Sequence, residues 1–346
     1  MIAMPSSFAA LDCINADRAE ARRCVVVGAG SVGRRHLRNL RAMGVEAIAL
    51  RTMRGQSGLL DGWNSVSSWT EVAEFGPSMA IIANPTAMHV DAAIEATRLG
   101  LDILIEKPVA ERLEAAMQLQ AAVAKRRTRA LVGYQYRFHP TLTIVRDWVR
   151  EGLIGVPVSA QSHWGEYLPG WHAGEDHTLG YSARSDLGGG VVRTLSHPVD
   201  YLRWILGEIK AVSAMTARRS GFTRDVEDVA ALTLLTSDGA IATMSLDYVE
   251  RPGRHSLTVT GTEGTIFWDA GTGIARICSR HPDVSKSVAP PMDFDRNTMF
   301  TDELRHFLAC AHGDAQPRCT LRDGLRSVAI SEAALQSARE GRVMNV

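Results

Sequence analysis

Two residues in this chain have the type and the setting to move a proton. Lys107 stands in Glu106-Lys107-Pro108, directly after the apolar run 101–105. Such a run reads as a buried strand, and the strand would aim the ammonium beyond its end. There it could hydrogen-bond a reacting oxygen and shift its proton. The Glu-Lys-Pro step also suits a tight bend, with a cis peptide bond as one way to make it. The plainer alternative is a surface lysine paired with Glu106. Composition singles Lys107 out, because only four of the 38 basic residues are lysine: 107, 125, 210 and 286. Arginine keeps its proton at any useful pH, whereas lysine is tuned by its surroundings.

His197 is the second. It follows Gly188-Gly189-Gly190-Val191-Val192-Arg193-Thr194-Leu195-Ser196 and precedes Pro198-Val199-Asp200. Three glycines permit close backbone approach to a ligand. Ser196 or His197 would open a helix with Pro198 in its first turn. An imidazole there exchanges a proton near neutral pH, and Asp200, one turn on, could orient it. The alternative is a capping or core histidine without chemical work.

A third cluster is aromatic. Tyr134, Tyr136, Phe138, Trp148, Trp164, Tyr167, Trp171 and Tyr181 fall within residues 134–181, with His163, His172, His177, Glu166, Glu175 and Asp176 among them. Flat rings beside carboxylates suit a polyhydroxylated ligand. Part of the cluster must also be a minicore where two domains meet. The histidine spacing matches no familiar metal-ligand set, so no metal is expected.

These groups need something to position them, and residues 24–54 supply the frame. An apolar run at 24–27 enters Gly28-Ala29-Gly30-Ser31-Val32-Gly33. Val32, His36, Leu37, Leu40 and Met43 then repeat at helical spacing, and a second apolar run follows at 45–50. Gly28 permits the sharp turn, Gly30 leaves room for a pyrophosphate, and Gly33 lets the helix pack on the strand. The free N–H groups of the helix start face the phosphates. In this strand-to-helix setting the G-x-G-x-x-G points to a dinucleotide. An NAD site usually places Asp or Glu at the end of the second strand. This chain has Arg51 and Arg54 there. Guanidinium groups pair with a 2′-phosphate, which a carboxylate would repel, so NADP(H) is the expected cofactor and NAD(H) the second choice.

Further along, strands are expected at 79–83, 101–105 and 129–133, with helices at 69–75, 88–99 and 113–126. Alternating strands and helices with short joints predict a parallel sheet covered on both faces. Ligands bind at the carboxyl ends of such strands, where Gly28, Asn84, Glu106, Lys107 and Tyr134 all fall. After 134 the texture changes. Helices are expected at 141–151, 198–206, 300–312 and 322–340, and strands at 156–164, 209–217, 228–236, 240–248, 254–260 and 264–269. Closely spaced strands predict an antiparallel or mixed sheet. Residues 165–190 are too long for a simple connection and read as a functional loop. Residues 279–299 read as loop.

The totals agree. With 346 residues, two domains are expected, and an apolar content of 45% is ample for a core. The formal net charge of +0 and the lack of a basic block speak against nucleic acid. No apolar run approaches a membrane span. Residues 1–22 carry Asp12, Asp17 and Glu20, lack a signal-peptide core, and read as a loose extension. Five cysteines without a C-x-x-C pair fit a reduced, cytoplasmic protein.

The chain resembles the Gfo/Idh/MocA oxidoreductases, named for glucose-fructose oxidoreductase, inositol dehydrogenase and a rhizopine-catabolism protein. The likeness runs from Arg23 nearly to the end, through VVVGAGSVGRRHLRNL, ANPTAMH, IEKPVA, GYQYRFHP, LGGGVVRTLSHPVDYLRWILG, GTEGTIFWD and TDELRHFLACAHG. The resemblance implies an α/β fold: an N-terminal Rossmann domain with a doubly wound parallel sheet (23–134), then a C-terminal α/β domain with an open, mostly antiparallel sheet (135–346). Residues 322–340 are the stretch that could pack back on the first domain. The C-terminal sheet implies a homodimer or homotetramer. It implies NAD(P)-dependent oxidation of a sugar-type alcohol, or the reverse reduction. By motif position Lys107 matches the family's catalytic lysine and His197 its catalytic histidine. The cofactor-binding candidates are Gly28, Ala29, Gly30, Ser31, Val32, Gly33, Arg51, Arg54, Asn84, Pro85, His89, Glu106 and Lys107. The substrate-binding candidates are Tyr136, Arg137, Trp164, Tyr167, Trp171, Arg193, Thr194 and His197. One position departs: many members carry Asp where this chain has Arg193, which can bind an anion but cannot act as a base. The 167–190 stretch looks most like members of surface-polysaccharide and nucleotide-sugar pathways. Two other readings share the fold: a glycoside hydrolase that recycles its NAD, and a nucleotide-binding sensor without catalysis.

Overall fold

A computed structural model describes residues 23–51, 62–172 and 174–346. The buried, β-branched runs form the centre of the first half. Strands β1 (Arg23–Val27), β2 (Glu46–Leu50), β3 (Ser65–Val66), β4 (Met79–Ile82), β5 (Asp102–Glu106) and β6 (Ala130–Gly133) make a parallel sheet in the order β3-β2-β1-β4-β5-β6. In β1 the residues Cys24, Val25, Val26 and Val27 are all fully buried, as a strand covered on both faces requires. Helices α1 (Ser31–Ala42), α2 (Trp69–Phe75), α3 (His89–Arg98) and α4 (Leu113–Arg126) connect them. The strand order reverses between β1 and β4, which opens a crevice at their carboxyl ends. Gly28 and Asn84 stand at its lip.

The second half is a nine-stranded sheet. Its strands are β7 (Pro157–Gly165), β8 (Ile209–Ala217), β9 (Val229–Thr236), β10 (Ile241–Asp247), β11 (Arg254–Gly261), β12 (Gly264–Asp269), β13 (Ala275–Ser279), β14 (Lys286–Val288) and β15 (Met344–Asn345). They lie in the order β14-β13-β12-β11-β7-β10-β9-β8-β15, antiparallel except for β7 beside β10. Alternation decides its faces. Ala230, Leu232 and Leu234 of β9 point to the core, while Val158 of β7, Met215 of β8 and Ile241 of β10 stay exposed. Helices α5 (Pro140–Arg150), α6 (Val191–Thr194) and α7 (His197–Leu206) cover the inner side. The region expected as loop, 279–299, contains β14, a short edge strand that its polar sequence does not advertise.

The last two helices tie the halves together. From α8 (Arg296–His312), Leu304, Phe307 and Leu308 join Val26, Leu37 and Leu104 in the core of the parallel sheet. Helix α9 (Leu321–Glu340) sends Leu325 and Val328 to that sheet's other face and Ile330, Ala333 and Ala334 to the second core. Gly324 makes this possible, since a Cβ there would sit 2.5 Å from Val109 Cγ2. The Rossmann unit is thus completed by residues from the far end of the chain. Among the described residues, no helix is long and apolar enough to cross a membrane.

Candidate active site

The glycine turn is built around one close approach. Gly28 has φ +98°, and a Cβ on it would lie 2.6 Å from the Asn84 backbone nitrogen. A Cβ on Gly33 would overlap the Gly28 carbonyl oxygen, so α1 can pack this closely on β1 only with glycine. Gly30 is different, because nothing lies within 4 Å of where its Cβ would be. The space above it is open to a ligand. This is a cradle that fits a dinucleotide pyrophosphate at a helix N-terminus.

That cradle is one wall of a cavity of about 640 Å³ between the two domains. Gly28, Ala29, Gly30, Ser31 and Val32 line it, as do Arg51, Asn84, Pro85 and His89. Glu106 and Lys107 line it from the end of β5, and Trp164, Trp171, Thr194 and His197 from the second domain. Chain positions as far apart as 28 and 197 therefore meet in one space. Arg54 lies outside the described residues. Gly33 stands behind the turn and shapes it from within.

Lys107 Nζ donates to the Thr194 carbonyl oxygen at 2.6 Å, across the domain boundary. The Lys107–Pro108 peptide bond is cis. Glu106 does not hold the lysine; its Oε1 sits 2.7 Å from His36 Nε2 on α1. Burial works against its charge, but the His36 hydrogen bond and Lys107 together keep it below the usual carboxylate range. His89 braces the cradle, with Nδ1 2.8 Å from the Pro108 carbonyl oxygen and Nε2 2.8 Å from that of Asn84. It joins the loop after β4 to the loop after β5.

His197 opens α7 from its N-cap, Ser196, with Pro198 in the first turn. The ring is buried and packs against Tyr136 at 4.8 Å, Tyr134 at 5.5 Å and Trp164 at 5.6 Å between centroids. Its Nδ1 has no hydrogen-bond partner among the described residues. Burial first, then the charges of Lys107, His255 and Arg296, press its pKa well below the ordinary histidine value. The imidazole is neutral through the physiological range and can donate one hydrogen bond and accept another. Asp200 does not orient it. The Asp200 carboxylate takes Arg137 Nε at 2.8 Å and Nη2 at 2.7 Å.

Several sequence candidates stand elsewhere. Arg137 is buried in that ion pair and also donates to the Arg318 carbonyl oxygen at 2.7 Å, so its fork has no room for a substrate. Tyr136 lies behind His197, its hydroxyl 3.2 Å from His255 Nδ1. Tyr167 packs against Phe222 and beneath Arg251, away from the cavity lining. Arg193 reaches the carbonyl oxygens of Gly189 and Glu111, not the cavity. The three glycines at 188–190 approach protein atoms rather than a ligand; a Cβ on Gly188 would lie 2.7 Å from Thr86 Cβ. Of the aromatic-segment histidines, His172 lines the cavity, while His163 faces Glu250 and Asp247 beyond it.

Sequence reasoning passed over Arg34, Arg35, Gln135, Arg296 and Phe300, all of which line the cavity. Gln135 is buried and its Oε1 has no partner among the described residues. Arg34 and Arg35 directly follow the glycine motif and so carried a signal. Arg296 and Phe300 carried none, being far along the chain in a segment read partly as loop.

Comparison with known proteins adds the following. Residues 22–134 match an oxidoreductase family with NAD-binding Rossmann fold, and residues 143–267 match the Gfo/Idh/MocA C-terminal domain. The two matches together cover more than half of the chain. The chain is 24% identical over 336 residues to 1,5-anhydro-D-fructose reductase of Ensifer adhaerens, covering 93% of this chain and 97% of that protein. It is 26% identical over 338 residues to scyllo-inositol 2-dehydrogenase (NAD(+)) of Bacillus subtilis strain 168, covering 92% of this chain and 94% of that protein. Its fold matches a levoglucosan dehydrogenase solved in complex with NADH, with TM-score 0.83 at 20% identity over 94% of this chain and 99% of the other.

Proposed function

Because the chain belongs to the Gfo/Idh/MocA oxidoreductase family, with its NAD-binding Rossmann domain, we propose that it oxidises or reduces a ring carbon of a sugar, a cyclitol or a nucleotide-linked sugar. The observation that carries this reading is the meeting of Lys107 and His197 in the cavity that the glycine turn opens. The bound nicotinamide supplies hydride exchange, and the protein supplies everything else. Lys107, anchored on the Thr194 carbonyl oxygen, presents its remaining protons to the reacting oxygen. As the neutral amine it takes the alcohol proton in oxidation, and as the ammonium so formed it gives the proton back in reduction. Neutral His197 hydrogen-bonds the adjacent hydroxyl and fixes the ring that reacts. Trp164 and Trp171 offer apolar faces to the sugar. The relatives reported above are named a reductase and a dehydrogenase, which favours net redox over NAD-recycling hydrolysis. The sensor reading loses ground because both candidate groups line the cavity. A net absorbance change at the reduced-nicotinamide wavelength, in a screen of sugars and cyclitols, tests the reading; aglycone release without it would refute it.

The neutral imidazole sets a pH expectation. His197→Asn should lower turnover yet leave the shape of the activity profile from pH 6 to 9 unaltered. Burial disfavours the imidazolium, so the group has no proton to lose over that interval. An acid limb present in the wild type and gone in the variant would mean that His197 titrates there.

The preferred cofactor is NADP(H) in this reading. Arg51 ends β2, is exposed, and lines the cavity where a carboxylate would favour NAD(H). Arg51→Asp should weaken NADPH binding by about tenfold or more and spare NADH, a charge-assisted pair having been replaced by a repulsion. Fluorescence titration of both cofactors reads this directly. Equal loss for both would leave Arg51 without a discriminating role. A dimer or tetramer through the nine-stranded sheet is the companion reading, supported by the exposed Val158, Met215 and Ile241 on its outer face.

A further inference from the structure

We propose that the substrate is an anionic sugar, carrying a carboxylate or phosphate, and that Arg296 together with Arg35 holds the charged group. The inference rests on the redox reading above and names its substrate class. Arg296 is the first residue of α8 and lines the same cavity as Lys107 and His197. Among the described residues it has no ion-pair or hydrogen-bond partner. Arg35 also lines the cavity, with its guanidinium 4.6 Å over the Phe300 ring and no carboxylate bound to it.

The two cations line one cavity within electrostatic reach of each other. Burial first, then the charges of Arg296 and Arg38, hold the Arg35 pKa below its ordinary value. Two carboxylates offset this, Glu106 and Asp295, and neither is free. Glu106 is taken by His36, and Asp295 caps α8 by accepting from the Thr298 backbone N–H at 2.8 Å. The cavity's other carboxylates, Glu166 and Glu175, come from the segment around the end of β7, and Glu166 accepts from the Trp164 indole at 2.9 Å. Like charges brought together without an anion are unfavourable, and a bound anion relieves them.

Arg296 lines the cavity together with Trp164 and His197 of the second domain. Its charge acts on His197, His255 and Tyr136 in the second domain and on Arg35 in the first. The pyrophosphate cradle at Gly28 to Gly33 and the adenosine-end Arg51 lie on the first. In this proposal the anion bound by Arg296 is a group on the substrate. Arg193, which could have served an anion, is turned away from the cavity.

The test is calorimetric titration of the full chain, saturated with NADH, against D-glucuronate, D-galacturonate, glucose 6-phosphate, galactose 6-phosphate, D-glucose and D-galactose. At least one anion should bind about tenfold or more tighter than its neutral counterpart, the scale of one charge-assisted hydrogen bond. The uronate and phosphate arms decide which anion it is. Arg296→Gln should abolish the preference and leave NADH affinity unchanged. Neutral sugars binding as well as or better than every anion would overturn the proposal. So would an Arg296→Gln variant that loses NADH affinity and keeps the preference. Turnover of the same panel with NADP+ and NAD+ separates the two readings. Anion-selective binding without any turnover would sink the redox assignment and leave the role of Arg296 standing.

Discussion

Lys107→Met should lower kcat by about 10²–10⁴-fold, the range that a positioned proton-transfer group contributes, and leave NADH affinity unchanged. The substitution keeps the length of the side chain and removes the ammonium. What is lost is the donor that polarises the reacting oxygen and the base that takes its proton. The Lys107 ammonium also spans the domain boundary through its 2.6 Å bond to the Thr194 carbonyl oxygen. The measurement therefore separates loss of the chemical step from a second effect, on domain closure. Single-turnover kinetics with saturating cofactor reports the chemical step, and cofactor titration reports the closed cleft. A chemical step within a few-fold of wild type would remove Lys107 from the mechanism. Loss of cofactor binding instead would recast it as a structural link.

Asp200→Ala should destabilise the folded chain by about 3–5 kcal/mol, the cost of stranding one member of a buried ion pair. Arg137 donates two parallel hydrogen bonds to Asp200, and both side chains are almost wholly buried, at 3% and 2% exposure. Burial opposes the guanidinium charge, but the Asp200 charge outweighs that and raises the Arg137 pKa above its ordinary value. Removing Asp200 leaves only Asp323, at 3.3 Å, which Arg203 already engages at 2.7 Å. The double variant Arg137→Met, Asp200→Leu should recover most of the loss, since apolar packing often replaces a buried pair without penalty. Urea unfolding of the single and double variants checks both statements. If Arg137→Met raised the substrate KM without lowering stability, the residue would return to the substrate-binding set.

The clamp is instructive about what a sequence conceals. Arg137 and His197-Pro198-Val199-Asp200 were both legible as functional stretches. Nothing local says that Arg137 and Asp200 satisfy each other, because their meeting depends on how the short 3-10 turn Gln135–Phe138 after β6 and the start of α7 converge. A charged residue in a suggestive motif reads as a ligand contact until its partner is seen. The same error applied to Arg193 and to the triple glycine, whose neighbours turned out to be protein atoms.

Short-range physics determined the rest from sequence. The glycine turn, five of the six strands of the parallel sheet, the opening of α7 at Ser196-His197-Pro198 and most strands of the second sheet follow from hydrophobic period and from Gly and Pro chemistry, which act within a few residues. Lys107, Asn84 and Gly28 were expected in one crevice because parallel strands end on one edge. Only the tertiary structure decided what comes from far away. Helices α8 and α9 cross back to finish the first domain, and α8 thereby brings Arg296 and Phe300 to the cavity. Amphipathic helices announce that a face is buried, not against what, so no local pattern could place Arg296 beside Arg35. The charge balance of the site is set by that long-range packing.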